Sequence, residues 1–179
     1  MVTLIGIAIL AFLFVAVIGF VAARPGEFRI ERSALVNAPS GTIFSLINDF
    51  HQWVRWSPYE KLDSNMKKSF EGAPSGPGAV YIWSGNSKAG EGKATIEEAK
   101  PHELVVIKLE FIRPFVATNQ ARFTLVPVTG GTRVTWSMDG KNNLVGKAMS
   151  LFIDIDALVG KEFEEGLANL NTAAHAPTP

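Results

Sequence analysis

Three hydrophobic patterns succeed one another along the chain. Residues 2–23 carry no charged side chain. A helix over that run reaches about 33 Å at about 1.5 Å per residue, against a bilayer hydrocarbon core of about 30 Å. The pattern predicts a transmembrane helix over 1–23. No Lys or Arg precedes the run, and it is longer than the apolar stretch of a cleaved signal peptide, so an uncleaved anchor is expected. Arg24-Pro25-Gly26 then breaks the helix, giving a linker over 24–27.

The second pattern has period two. Phe28, Ile30, Arg32, Ala34 and Val36 alternate with Arg29, Glu31, Ser33 and Leu35, which predicts a strand. After the break at Asn37-Ala38-Pro39, Ser40 is placed to cap a short helix through Ile47, and a second short helix is expected over 51–56, ended by Ser57-Pro58. Strands are then predicted over 66–71, 79–84, 92–100, 103–113, 117–128 and 132–139, separated by Gly- and Pro-rich turns. No spacer is long enough for a crossover helix, so the sheet must be antiparallel.

The third pattern has period 3.6. Ala148, Phe152, Ile155, Val159, Phe163, Gly166 and Leu170 form one stripe of a single long helix, with a frayed tail over 173–179. These elements predict an α+β domain over 28–172. In it a curved, seven-stranded antiparallel sheet grips the C-terminal helix, so that one sheet face and one helix stripe are buried together.

Strand parity gives the lining of that grip. Val105, Ile107, Leu109 and Phe111 share a face, as do Asn119, Phe123 and Leu125, and Val134, Trp136 and Met138. Tyr81 and Trp83 are assigned inward because large amphipathic rings suit a cavity wall. The helix offers Phe152, Ile155, Val159 and Phe163. Gly166 omits a side chain from the stripe, which either admits a neighbour or leaves space. The predicted cavity lining is therefore Tyr81, Trp83, Ile107, Leu109, Phe111, Asn119, Phe123, Trp136, Met138, Phe152, Ile155, Val159 and Phe163, almost wholly apolar.

Composition narrows the function. The 17 basic and 17 acidic residues cancel, which speaks against nucleic acid as a partner. There is no cysteine, so thiolate metal sites, disulfides and cysteine nucleophiles are excluded. No nucleophile elbow or phosphate loop occurs, and His102-Glu103 lacks the second His of a zinc helix. His51 beside Asp49 could form an oriented base, but reads more simply as an exposed helix-start histidine. Asp154 and Asp156 lie about 200° apart on a helix and form no carboxylate pair. Asp156 falls at the edge of the apolar stripe, and Glu97 and Glu98 point to opposite sheet faces. No catalytic residue, metal ligand or cofactor is assigned.

Several stretches together resemble the START/polyketide cyclase–dehydrase (SRPBCC) superfamily of helix-grip proteins. They are 33–39, Trp53-Val54-Arg55-Trp56-Ser57-Pro58, 76–86, 90–92, Arg113-Pro114-Phe115, 131–136 and 160–167. The likeness runs from about Phe28 to Leu170 and is similar to a bacterial, membrane-anchored polyketide-cyclase-like subgroup. It implies a hydrophobic cavity between sheet and helix and a membrane-tethered binder of a small hydrophobic ligand, such as a lipid, quinone or polyketide-like molecule. A cyclase or dehydratase acting in the cavity, or a non-binding interaction or stress-response domain, are the alternatives, since one fold hosts many functions. Arg24, Arg29 and Arg32 after the apolar run place the domain on the cytoplasmic side of the bacterial inner membrane by the positive-inside rule.

Overall fold

The computed structural model describes residues 12–13 and 15–176. Among these residues no helix is long and apolar enough to cross a membrane. Half of the expected span over 2–23, residues 2–11 and 14, lies outside the described residues. Residues 15–22 are helical, and Val15, Val17 and Phe20 on them are exposed.

The domain proper begins with strand β1 (Glu27–Val36), helix α1 (Ser40–Ile47) and two 3-10 turns, Phe50–Arg55 and Pro58–Lys61. Six strands follow: β2 (Lys67–Gly72), β3 (Ala79–Ser84), β4 (Glu91–Lys100), β5 (Leu104–Arg113), β6 (Ala117–Val128) and β7 (Gly131–Lys141). The chain closes with α2 (Leu144–Met149) and α3 (Ile155–His175). The strands form one antiparallel sheet in the order β1-β7-β6-β5-β4-β3-β2. Only β1 leaves sequence order, closing against β7 with Ile30 opposite Met138 and Ala34 opposite Val134. This matches the α+β, helix-grip architecture expected from the alternation.

Four local expectations change. Pro39, not Ser40, occupies the N-cap of α1, in extended conformation and without a side-chain cap; Ser40 is already helical. Pro58 does not end the helical stretch. It starts the second 3-10 turn, because its fixed φ suits a first helical position. The C-terminal helix is not continuous from Ala148. Its stripe is interrupted at 150–154, where Asp154 leaves the helical region and its carboxylate accepts from Ala157 N at 3.0 Å, restarting the helix as α3. Glu97 and Glu98 do not split between faces either. A bulge in β4 between Ile96 and Glu98 leaves both exposed.

The grip is held by an aromatic core. The ring of Phe163 on α3 stacks on Trp136 of β7 with centroids 4.1 Å apart and planes 7° from parallel. Phe123 and Trp56 complete the cluster around Trp136 at 4.8 and 5.7 Å. Phe163, Leu167 and Leu170 are 1% exposed or less, each burial stabilising by roughly 1.5–3 kcal/mol. Gly166 admits a neighbour rather than leaving space: a Cβ there would lie 2.7 Å from Trp136 Cζ3 and 3.1 Å from Pro58 Cδ. Gly160 plays the same part for Arg32. That side chain crosses from β1 to lie flat on α3, donating to Asp156 Oδ2 at 2.9 Å and Glu164 Oε1 at 3.0 Å. Two missing side chains thus set how closely α3 sits on the sheet and in what register.

Candidate ligand cavity

A cavity of about 300 Å³ remains between the sheet, the two 3-10 turns and α3. That is the small end of the range for ligand pockets. Its wall is built by the period of the strands. Tyr81 and Trp83 face inward from β3, Ala94 from β4, Leu109 and Phe111 from β5, Ala121 and Phe123 from β6, and Trp136 and Met138 from β7. Helix α3 closes it with Val159, Glu162 and Phe163, and the 3-10 turns bring Trp53, Ser57, Tyr59 and Glu60. Small side chains at Ala94 and Ala121, both buried, leave room that bulkier residues would fill. The exposed residues Lys88, Arg113 and Pro114 form the rim.

Of the residues expected to line the cavity, Tyr81, Trp83, Leu109, Phe111, Phe123, Trp136, Met138, Val159 and Phe163 are brought together there. Four lie elsewhere. Ile107 is fully buried in packed core, beyond the cavity wall. Asn119 has the inward parity but sits at the strand end, where its Nδ2 is 3.6 Å from Met138 Sδ, beside an outer groove. Phe152 is 89% exposed, because the chain has left the helix at that point. Ile155 belongs with Phe152 to a wide, open groove of about 540 Å³ between β1 and residues 150–156.

The cavity is less purely apolar than parity suggests. Two carboxylates stand in its wall, each with a tyrosine. The Tyr81 hydroxyl donates to Glu60 Oε1 at 2.7 Å, and the other oxygen of Glu60 is paired with Lys68. The Glu60 side chain is only 7% exposed. Tyr59 and Glu162 also meet at the wall, the buried hydroxyl beside the carboxyl. Burial, reinforced by the neighbouring carboxylates, pushes both tyrosine hydroxyls far above their ordinary range, so both stay protonated and act as donors. Burial also raises the Glu162 carboxyl above the usual carboxylate range, against the lowering effect of the Tyr59 hydrogen bond.

Sequence reading missed Glu60, Tyr59 and Glu162. The turn carrying the first two was masked by Pro58, and Glu162 is flanked by Lys161 and Glu164-Glu165, which read as a solvated face. The Asp49–His51 pair does form, with Oδ1 to Nδ1 at 2.8 Å, but Asp49 caps the 3-10 turn and His51 stacks on Phe70 at 4.1 Å, away from the cavity. Asp156 is bound to Arg32, which holds its carboxyl below the ordinary range.

A family model described as polyketide cyclase/dehydrase and lipid transport matches residues 27–175. Solved structures with the same fold include a protein of Nitrosospira multiformis, 21% identical, with a TM-score of 0.60 over 83% of this chain and 97% of that one. The Aha1 dimer of Colwellia psychrerythraea is 14% identical, with a TM-score of 0.60 over 85% and 99%. A protein of Chromobacterium violaceum is 13% identical, with a TM-score of 0.59 over 86% and 100%. No curated protein matches the chain.

Proposed function

The chain belongs to the polyketide cyclase/dehydrase and lipid transport family, and from that premise we propose that it is a membrane-tethered binding protein for a small hydrophobic ligand, a lipid, quinone or polyketide-like molecule. The observation that carries this reading is the cavity of about 300 Å³ walled by aromatic and aliphatic side chains from five strands and α3. Covering such a wall with apolar ligand surface stabilises by about 25 cal/mol per Å² before ordering costs. Fixed charges do not contribute to that term, so affinity varies little with ionic strength.

The tether rests on the charge-free run over 2–23 and on what lies beside its end. Lys147 Nζ on α2 donates to the Ala22 carbonyl at 2.9 Å. On α2, the segment after it and the start of α3, Leu144, Val145, Leu151, Phe152, Ile153 and Leu158 expose apolar side chains, which supports a surface turned to lipid. The three arginines following the run support a cytoplasmic domain by the positive-inside rule.

A second reading, a cyclase or dehydratase acting inside the cavity, is favoured by one observation. Glu162 combines a raised carboxyl pKa with a hydroxyl partner at the cavity wall, the arrangement of a general acid or base.

Titration with an anilinonaphthalene dye, displaced by a panel of a phospholipid, a quinone and a polycyclic aromatic, tests the binding reading. Saturable binding with competition is expected. Absence of saturable binding by every member of the panel, with the fold intact by circular dichroism, overturns it.

A further inference from the structure

Strand register gathers six strand termini at one end of the sheet. Ser84 pairs with Glu91, Glu91 with Arg113, Phe111 with Ala117, Asn119 with Gly140, and Gly140 with Phe28. The start of β1, the β3–β4 and β5–β6 turns and the exit of β7 into α2 therefore share this end. The rim of the cavity is here too: Lys88 and Ala89 belong to the β3–β4 turn, and Arg113 and Pro114 to the end of β5 and the turn after it. So is most of the exposed apolar surface. Among the described residues from 27 onward, fourteen large hydrophobic side chains are exposed, and nine of them lie at this end. Ile112, Phe115 and Val116 surround the β5–β6 turn at 52%, 54% and 78% exposure. The other six are those of α2, the segment after it and the start of α3, and a groove shared with Phe28–Ile30 sets that segment beside the start of β1. At the opposite end Arg133 stands between Leu35 and Val126 and interrupts the apolar surface.

A contiguous exposed apolar patch marks a protein or membrane contact. The chain that enters this end indicates which. The charge-free run over 2–23 leads directly into β1. At its close Val21 is 5% exposed, the Ala22 carbonyl accepts from Lys147 Nζ on α2, and the Gly26 carbonyl accepts from Asn142 N just after β7. Only residues 24–26 separate the run from β1, and three residues reach about 10 Å when extended. A chain anchored by the run therefore holds this end, and not the opposite one, against the bilayer. Arg24 and Lys88 are exposed here, cations whose long stems reach headgroup phosphates while apolar neighbours go deeper.

We propose that this end of the domain is a lipid-docking face. The β5–β6 turn, with Ile112, Phe115 and Val116, enters the headgroup layer beside the α2–α3 segment, and the cavity mouth, rimmed by Lys88 and Arg113, opens against the bilayer rather than into water. This rests on the binding and tether readings and adds to them the face that docks and the direction in which the mouth points.

The chain has no cysteine, so a single one can carry a nitrobenzoxadiazole label in the full-length protein. Val116→Cys reads the turn, Lys88→Cys the rim, and Val126→Cys the opposite end, where the side chain is 49% exposed. Each is reconstituted into phosphatidylcholine–phosphatidylglycerol vesicles. Emission is measured with a nitroxide-bearing phosphatidylcholine as the bilayer quencher and with iodide, equilibrated on both sides, as the aqueous one. The labels at Val116 and Lys88 are expected to lose emission to the nitroxide and to be shielded from iodide, with a blue shift at Val116; the label at Val126 is expected to do the reverse. Phe115→Asp with Phe152→Asp changes two exposed rings, so the fold is expected to stay, and the docked population is expected to fall by about a hundredfold, returning the Val116 label to the Val126 pattern. Equal iodide quenching at Val116 and Val126 with no nitroxide quenching at either overturns the docking face and leaves the tether standing. Shielding of Val116 from both quenchers gives the face to a second copy of the chain and overturns the lipid assignment. Nitroxide quenching at Val116 without any at Lys88 overturns the direction of the mouth. A full-length chain that does not float with the vesicles overturns the tether reading and this inference with it, while the dye titration decides ligand binding separately.

Discussion

Replacing Phe163 by Ala removes the ring that joins helix to sheet. Phe163 is 1% exposed, stacks on Trp136 at 4.1 Å, and borders the cavity on its remaining side. A fully packed Phe→Ala change costs about 3–5 kcal/mol, made of lost transfer energy and of the void left behind. Because part of the ring already faces open space, fewer contacts are lost on that side, and the expected cost is at the low end, about 3 kcal/mol. For a domain of this size each kcal/mol moves Tm by about 2–4 °C, so a fall of about 6–12 °C is expected. The assay is thermal unfolding of a fragment spanning 27–176, followed by circular dichroism and by Trp emission. Emission should redden, since the Trp136 ring loses its stacking partner. The enlarged cavity should also accept a bulkier ligand than the parent. A loss below about 0.5 kcal/mol, within the range of an ordinary surface change, would show that α3 does not seal the sheet through this residue.

Phe152→Ser should leave stability within about 0.5 kcal/mol, because the ring is 89% exposed; a melt separates it cleanly from Phe163→Ala. Asp156 has a folded pKa lowered by its hydrogen bonds with Arg32, so its contribution is present at neutral pH and is lost as pH falls through that lowered value. Asp156→Asn should therefore melt below the parent at pH 7 and converge with it in strong acid. Glu162 behaves in the opposite sense: burial raises its folded pKa, so ionising it costs stability as pH rises above the ordinary carboxyl value. Glu162→Gln, which removes the ionisable group at nearly unchanged shape, should raise Tm at pH 7–8 and lose that advantage below about pH 4.5, as paired melts across pH would record.

Much of the fold was legible because period two leaves little freedom: once Val105, Ile107 and Leu109 are on one face, the rest of β5 follows. The closure of β1 onto β7 was not legible, because no local pattern specifies a pairing of such distant segments. The C-terminal helix was read as too long because Ala148, Phe152 and Ile155 keep the 3.6 spacing across a break; Asp154 was the visible sign, a residue type that prefers caps to helix interiors. At the cavity, parity found the aromatic wall but not the two Tyr–Glu pairs. Tyr59 and Glu162 meet only because the 3-10 turn after Pro58 packs on α3, a tertiary fact. Gly166 was ambiguous for the same reason: whether a missing side chain makes space or admits a neighbour depends on the opposing residues, here Trp136 and Pro58.

The central claim is that the space between sheet and helix holds a small apolar molecule. Native mass spectrometry of the full-length chain, gently extracted and compared with the same sample after organic denaturation, tests it most directly. The account predicts a bound species of small-molecule mass at one per chain, released on denaturation and depleted in a variant carrying Ala94→Phe, which fills the cavity from β4. A chain that emerges at its bare mass from every mild extraction, and takes up no lipid, quinone or polycyclic ketone when these are added, would contradict it.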